Sequence, residues 1–301
     1  MVGADCFPPA PMPPASILLA FAATLLLVAF VALAAIAVVA VALILLQGRL
    51  LFGRTWHLRR APGGPSADRR ETHAVTLRRD GVRLEGWLTR AKTEPPRRLL
   101  LWFGGRNEQV AWTRDLGGWL PDDCALLAFN YRGLGGSTGW PSERACVADA
   151  LAMAEWGLAH LGLGPEALHV AGRSIGSGIA MQMAARLASA RQLPRGLVLI
   201  TPPMSLRAVL AAMPWVRPLV GLLRSPLDSV AAAAVLPCPA LVLLAEHDHR
   251  VPYAHSMALV DALRETGAAV EVHRLAGTNH RNLVRRPEAM GLVGRWLAEL
   301  A

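Results

Sequence analysis

Lysine is almost absent: Lys92 stands alone among the 31 basic residues of this 301-residue chain. No lysine therefore follows a Gly-rich loop, and Gly133 to Gly139 does not match G-x-G-x-x-G, so the motifs that cradle phosphates are missing. None of the four cysteines (Cys6, Cys124, Cys146, Cys238) sits at C-x-x-C spacing. That excludes a zinc site and a disulfide framework and leaves reduced, partly buried thiols. No metal or other cofactor is expected. The net charge of +9 is carried by dispersed arginines with no stacking platform, so nucleic acid is not an expected partner. Anionic lipid heads are the expected target of that charge.

Charge is missing altogether from Ile17 to Leu46, where Thr24 is the only polar side chain. As a helix, at about 1.5 Å per residue, this run is roughly 45 Å long and exceeds the ~30 Å hydrocarbon core of a bilayer. A core helix of a soluble domain is not apolar on every face over such a length. Residues 17–46 thus read as one transmembrane helix, preceded by a Pro-rich tail over 1–16. A cleaved signal peptide fits less well, because no basic region precedes the run and the run is too long. Arg49, Arg54, Arg59 and Arg60 follow the helix, while Asp5 is the only charged side chain before it. The positive-inside rule then places the large C-terminal part in the cytoplasm.

Residues 47–70, with APGGPSADRR, read as a basic Gly/Pro linker. In THAVTLRRDGVRLEGWLTR, alternation on both sides of Asp80-Gly81 signals a hairpin with a type I′ turn. From there strand and helix patterns alternate. RRLLLWFGG is a strand, followed by a helical stretch to about Gly118. ALLAFNYRG is the next, then a helix opened by Pro141-Ser142-Glu143 and running to about Leu161. ALHVAG, GLVLIT, ALVLLA and VEVHRL follow, with helices after ALHVAG, around 255–264 and over 287–300. Strands without alternation are buried on both faces, as in a parallel sheet covered by helices. The fold class is α/β, with an antiparallel N-terminal edge and its site at the carboxyl ends of the strands. It spans residues 71–301 and includes a short apolar cap insertion at 202–237.

AGRSIGSGIA places Ser174 at a sharp strand-to-helix turn. Such a nucleophile elbow demands small residues two before and two after the serine, and they are Gly172 and Gly176. Gly178 lets the next helix pack closely. The Ile175 N–H, at a helix N-terminus, is one expected oxyanion donor, and the Gly105 N–H in LLLWFGGRNEQ is the other. A serine needs an imidazole to take its proton, and the imidazole needs a carboxylate. Asp248 follows the apolar strand in LVLLAEHDHRVP, and His280 follows the last strand in VHRLAGTNHRNL. Glu246 and Asp228 are rival acids. His247 and His249 read as surface residues, His255 and His273 as parts of a helix and a strand.

These stretches carry a resemblance. WFGGRN, NYRGLGGSTGWPSE, GRSIGSG, EHDHRVP and GTNH fall in the order of the α/β-hydrolase superfamily. The long second motif is similar to that of small hydrolases with one N-terminal membrane anchor, a group that includes predicted serine peptidases and protein depalmitoylases. The resemblance implies a Ser174/Asp248/His280 triad that hydrolyses an ester, thioester or amide through an acyl-enzyme, without a cofactor. Phe103 replaces the histidine common before the oxyanion glycine, which bears on loop rigidity and leaving-group contacts. Asn130, Tyr131 and Arg132 read as braces. With the anchor and the apolar cap, a small or lipid-like acyl substrate, or an S-acylated protein, is the expected partner. An acyltransferase using the same acyl-enzyme, and a silent membrane scaffold, stay open at this point.

Overall fold

The computed structural model describes residues 15–53 and 67–300. The Pro-rich tail and most of the Gly/Pro linker lie outside these residues. The chain divides into two compact units, Met1–Leu46 and Gln47–Ala301. The first is the apolar part of helix α1 (Ala15–Phe52), which is long and apolar enough to cross a membrane.

Helix α1 does not stop where hydropathy falls. It continues past Leu46 to Phe52 and ends at Gly53, whose φ of +90° and N–H bond to the Arg49 carbonyl close the last turn. The residues read as the start of a linker are therefore helical, and they belong to the second unit. Phe52 is fully buried there, edge-on to Tyr131 at 5.2 Å between ring centroids. The Arg106 guanidinium donates to the Leu50 carbonyl, and the Asn107 N–H to that of Phe52.

The second unit is built on an eight-stranded sheet. The strands are β1 (Arg70–Arg79), β2 (Val82–Ala91), β3 (Arg98–Phe103), β4 (Cys124–Phe129), β5 (Leu168–Arg173), β6 (Gly196–Ile200), β7 (Ala240–His247) and β8 (Val270–Asn279). Their order is β1-β2-β4-β3-β5-β6-β7-β8. β1 and β2 are antiparallel, as are β2 and β4, and every other pair is parallel. Asp80 and Gly81 both adopt positive φ between the paired Arg79 and Val82, which makes the hairpin turn the sequence predicts.

β3 to β6 are buried along almost their whole length, and alternate side chains enter two separate cores. Leu99, Leu101 and Phe103 pack on one face of the sheet, with α2 (Glu143–Leu161) and α3 (Ile175–Ser189). Leu100 and Trp102 pack on the other. The Ser142 hydroxyl caps α2 by accepting the Ala145 N–H, and Gly162 at φ +67° ends it. The stretch after β3 forms a 3-10 helix over Val110–Trp119 rather than an α-helix. Two short helices, α4 (Leu206–Ala211) and α5 (Ser229–Ala233), follow β6, and α6 (Tyr253–Glu265) and α7 (Pro287–Glu299) complete the unit.

The chain passes from β3 outward to β4 and then back across to β5, so β3 and β5 are neighbours at a topological switch point. Phe103 pairs with Gly172 in that register. The loop after β3 and the turn after β5 consequently lie side by side.

Candidate active site

Three loops at the carboxyl end of the sheet supply the polar groups. The turn after β5 carries Ser174 at φ 54° and ψ −120°, a region non-glycine residues seldom occupy. The surroundings enforce it. A Cβ on Gly172 would lie 2.5 Å from the Gly176 carbonyl oxygen, and one on Gly176 2.2 Å from that of Phe103. Only glycine fits either position. Gly178 has a different role from the one expected, because a side chain there would press on Leu227 rather than on the sheet.

β7 and β8 set the other two groups. Their register pairs His247 with Asn279, so the next residues, Asp248 and His280, emerge together. Asp248 Oδ1 accepts the N–H groups of Arg250 and Val251, at 2.8 and 2.9 Å. That leaves Oδ2 for His280 Nδ1, at 2.8 Å. Nε2 of the same ring is 3.0 Å from Ser174 Oγ. An Nδ1–H donated to the carboxylate fixes the tautomer in which Nε2 accepts the serine proton. Burial acts to raise the Asp248 carboxyl, but the bond and charge of His280 and the two backbone N–H groups outweigh it. The carboxyl consequently lies below its usual range.

The rival residues are held elsewhere. Glu246 accepts the Gly277 N–H, and the Asp228 side chain caps α5. His247 is largely exposed, His255 lies in α6, and His273 lies in β8.

The oxyanion loop differs from the reading of the sequence. The Ile175 N–H opens α3 beside Ser174 and has no intrahelical acceptor. The Gly105 N–H, expected to be its partner, donates instead to Glu108 Oε2 at 2.6 Å. Glu108 is fully buried, and a buried carboxylate must collect donors. It takes three: Gly105 N–H, Trp112 Nε1–H at 2.9 Å and Arg173 Nη1 at 2.5 Å. Arg173 also donates to the His280 carbonyl at 2.9 Å. One buried ion pair thus joins the loop after β3, the serine turn and the histidine loop. The signal in the sequence was slight, an arginine inside GRSIG and a lone acid between WFGG and VAWT.

The bracing residues act through named bonds. Tyr131 Oη donates to the Gly104 carbonyl at 2.9 Å, Asn130 Oδ1 accepts the Val110 N–H, and Arg132 makes a two-pronged pair with Asp149. Cys124, Cys146 and Cys238 are free and buried, and burial pushes the Cys124 thiol up to about 12 and Cys238 to about 11. They are not nucleophiles.

This sheet order, with a serine, a histidine and an aspartate on the loops after β5, β8 and β7, defines a member of the α/β-hydrolase superfamily. More narrowly, the chain belongs to the prolyl oligopeptidase family, whose sequence profile matches residues 127–300. An uncharacterized protein of Mycobacterium tuberculosis is 31% identical over 229 residues, covering 75% of this chain and 79% of that one. The lysophosphatidylserine lipase ABHD12 of Danio rerio is 28% identical over 193 residues, covering 57% of this chain but only 50% of the lipase. Among solved structures, a Pyrococcus furiosus esterase superposes with a TM-score of 0.62 at 18% identity, over 80% of this chain and 99% of its own. An alpha-beta hydrolase from Vibrio vulnificus gives 0.61 at 22% identity, over 77% and 81%. These two share the fold.

Proposed function

We propose that this protein is a membrane-anchored serine hydrolase that cleaves acyl esters or thioesters through an acyl-enzyme. The observation that carries the reading is the row Ser174 Oγ, His280 Nε2, His280 Nδ1, Asp248 Oδ2, with spacings of 3.0 and 2.8 Å. His280 takes the proton of Ser174 as its oxygen attacks the acyl carbonyl, and Asp248 stabilises the imidazolium. The Ile175 N–H receives the developing oxyanion. The Gly105 N–H, bonded to Glu108, would serve as a second donor only by leaving that carboxylate. The imidazolium then protonates the leaving group, and water, activated by the same ring, releases the acid.

Arg250 and Arg281 adjoin this row, Arg250 bonding Asp248 through its backbone N–H and Arg281 following His280 in the chain. Burial, and then the charges of Arg281, Arg106 and Arg173, lower the Arg250 guanidinium, as expected of cations within electrostatic reach of it. An acyl substrate with an anionic head suits these cations, and lysophosphatidylserine, named for the lipase relatives, is of this kind. The anchor over 17–46 holds the enzyme at a membrane, with the hydrolase unit on the cytoplasmic side by its flanking arginines.

The test is labelling by a fluorophosphonate probe in membranes, for wild type, Ser174→Ala and His280→Ala. Labelling of wild type alone is expected, followed by hydrolysis of long-chain lysophospholipids above neutral short esters and peptide amides. A folded wild type that takes no label sinks the reading and returns the scaffold alternative. Transfer to an added alcohol in preference to water identifies an acyltransferase.

A further inference from the structure

The insertion after β6, expected as an apolar cap, buries Leu227, Ala233 and Leu236, yet apolar residues in its middle face outward. Neither α4 nor the 3-10 helix Arg217–Leu222 contains a buried residue. Trp215 is 77% exposed, with Met213, Leu219 and Leu222 also exposed. Contiguous apolar exposure of this kind marks an interaction surface. Its charge has one sign. Arg207, Arg217 and Arg224 are present, and no acidic residue occurs from Thr201 to Leu227.

The position of this surface follows from one bond. The Arg224 N–H donates to Gln47 Oε1 at 2.7 Å. Gln47 is the first residue after the uncharged run and belongs to the same compact unit as the insertion. On the adjoining turns, Gly48 abuts the Pro141 carbonyl, and the Arg49 guanidinium sits 3.9 Å above the ring of Trp140. Trp140 is itself more than half exposed. If the chain leaves the hydrocarbon at Leu46, the end of the insertion is fastened at that point of exit.

We propose that residues 213–224, with Trp140, form an interfacial element seated in the headgroup layer of an anionic bilayer. Indole rings favour that layer, leucines reach the acyl boundary, and arginines meet lipid phosphates. The proposal rests on the membrane anchoring advanced under Proposed function. It adds that the catalytic unit itself meets the lipid and takes an acyl substrate from it.

The experiment uses the full chain in phosphatidylcholine vesicles with and without phosphatidylglycerol. In a Cys6→Ser background, a polarity-sensitive fluorophore is attached through Trp215→Cys, and in a second sample through Ser189→Cys on the exposed end of α3. Brominated lipids should quench the first and spare the second, more strongly in anionic vesicles. Carbonate extraction reports the anchor independently. A chain that resists extraction while the probe at 215 stays in water overturns the proposal and leaves the anchor standing. So does disulfide crosslinking of two chains through Trp215→Cys, which would assign the face to a second copy. Release by carbonate sinks both. A variant free of label, Trp215→Ser with Leu219→Ser and Leu222→Ser, should hydrolyse a soluble ester at the wild-type rate and a vesicle-borne ester several-fold more slowly. Equal rates on both would also overturn the proposal.

Discussion

Arg173 Nη1 lies 2.5 Å from Glu108 Oε2, and neither side chain is open to water. Removing one partner strands the other as a buried charge. Arg173→Met should therefore destabilise the fold by about 3–5 kcal/mol. Glu108→Gln together with Arg173→Met should lose less than the two single changes added. Urea denaturation of the four proteins measures the coupling, and strict additivity would show that the pair does not act as a unit.

Asp248→Asn leaves the ring of His280 with a neighbour that can donate as well as accept. The tautomer that serves Ser174 is no longer enforced, and kcat should fall by about 10⁴-fold, as in serine hydrolases with the same row. The melting temperature should change little. Single-turnover hydrolysis of a chromogenic ester separates this loss from any change in binding.

Gly176→Ala drives a methyl group into the Phe103 carbonyl. The neighbour is backbone, so the elbow has to move. A cost of about 1–3 kcal/mol is typical of such overpacking. Fluorophosphonate labelling should fall much further than stability does, because the displaced segment is the turn that carries Ser174.

His169 is buried with Nδ1 3.2 Å from the Ala167 carbonyl. Burial brings its pKa down to about 4. As pH falls, the unfolded chain takes this proton first, near 6.5. Its contribution to stability is thus full above about pH 6.5, is lost on the way to pH 4, and amounts to roughly 3 kcal/mol. His169→Leu should flatten that slope in denaturation at pH 7 and pH 4.5.

Phe52 connects the end of α1 to the site through Tyr131, whose hydroxyl holds the Gly104 carbonyl. Phe52→Ala should cost about 3–5 kcal/mol as a large buried truncation. Phe52→Leu should cost less, and the labelling rate should follow the same order.

The legible parts of this molecule were those written locally. Asp80-Gly81 carries its own turn chemistry, and the apolar runs from Leu99 to Leu244 announce a buried sheet. Asp248 and His280 could be placed because each directly follows a strand. What stayed hidden depends on distance. Arg173 and Glu108 are 65 residues apart and are joined only by the switch at β3 and β5. The claim of Glu108 on the Gly105 N–H could not be foreseen from the glycines alone. Helix α1 ran past its expected end because a helix ends where its caps are, at Gly53, not where its hydropathy drops.

Ser174 and His280 are separated by 106 residues, and His280 follows the last strand of the sheet. On the proposed mechanism, a chain made from its N-terminus has its nucleophile long before its base. While the ribosome is still adding β8, the serine has no partner to activate it. On that mechanism, fragments stopped short of that strand lack the base and should hydrolyse no acyl substrate, although the apolar helix is already made.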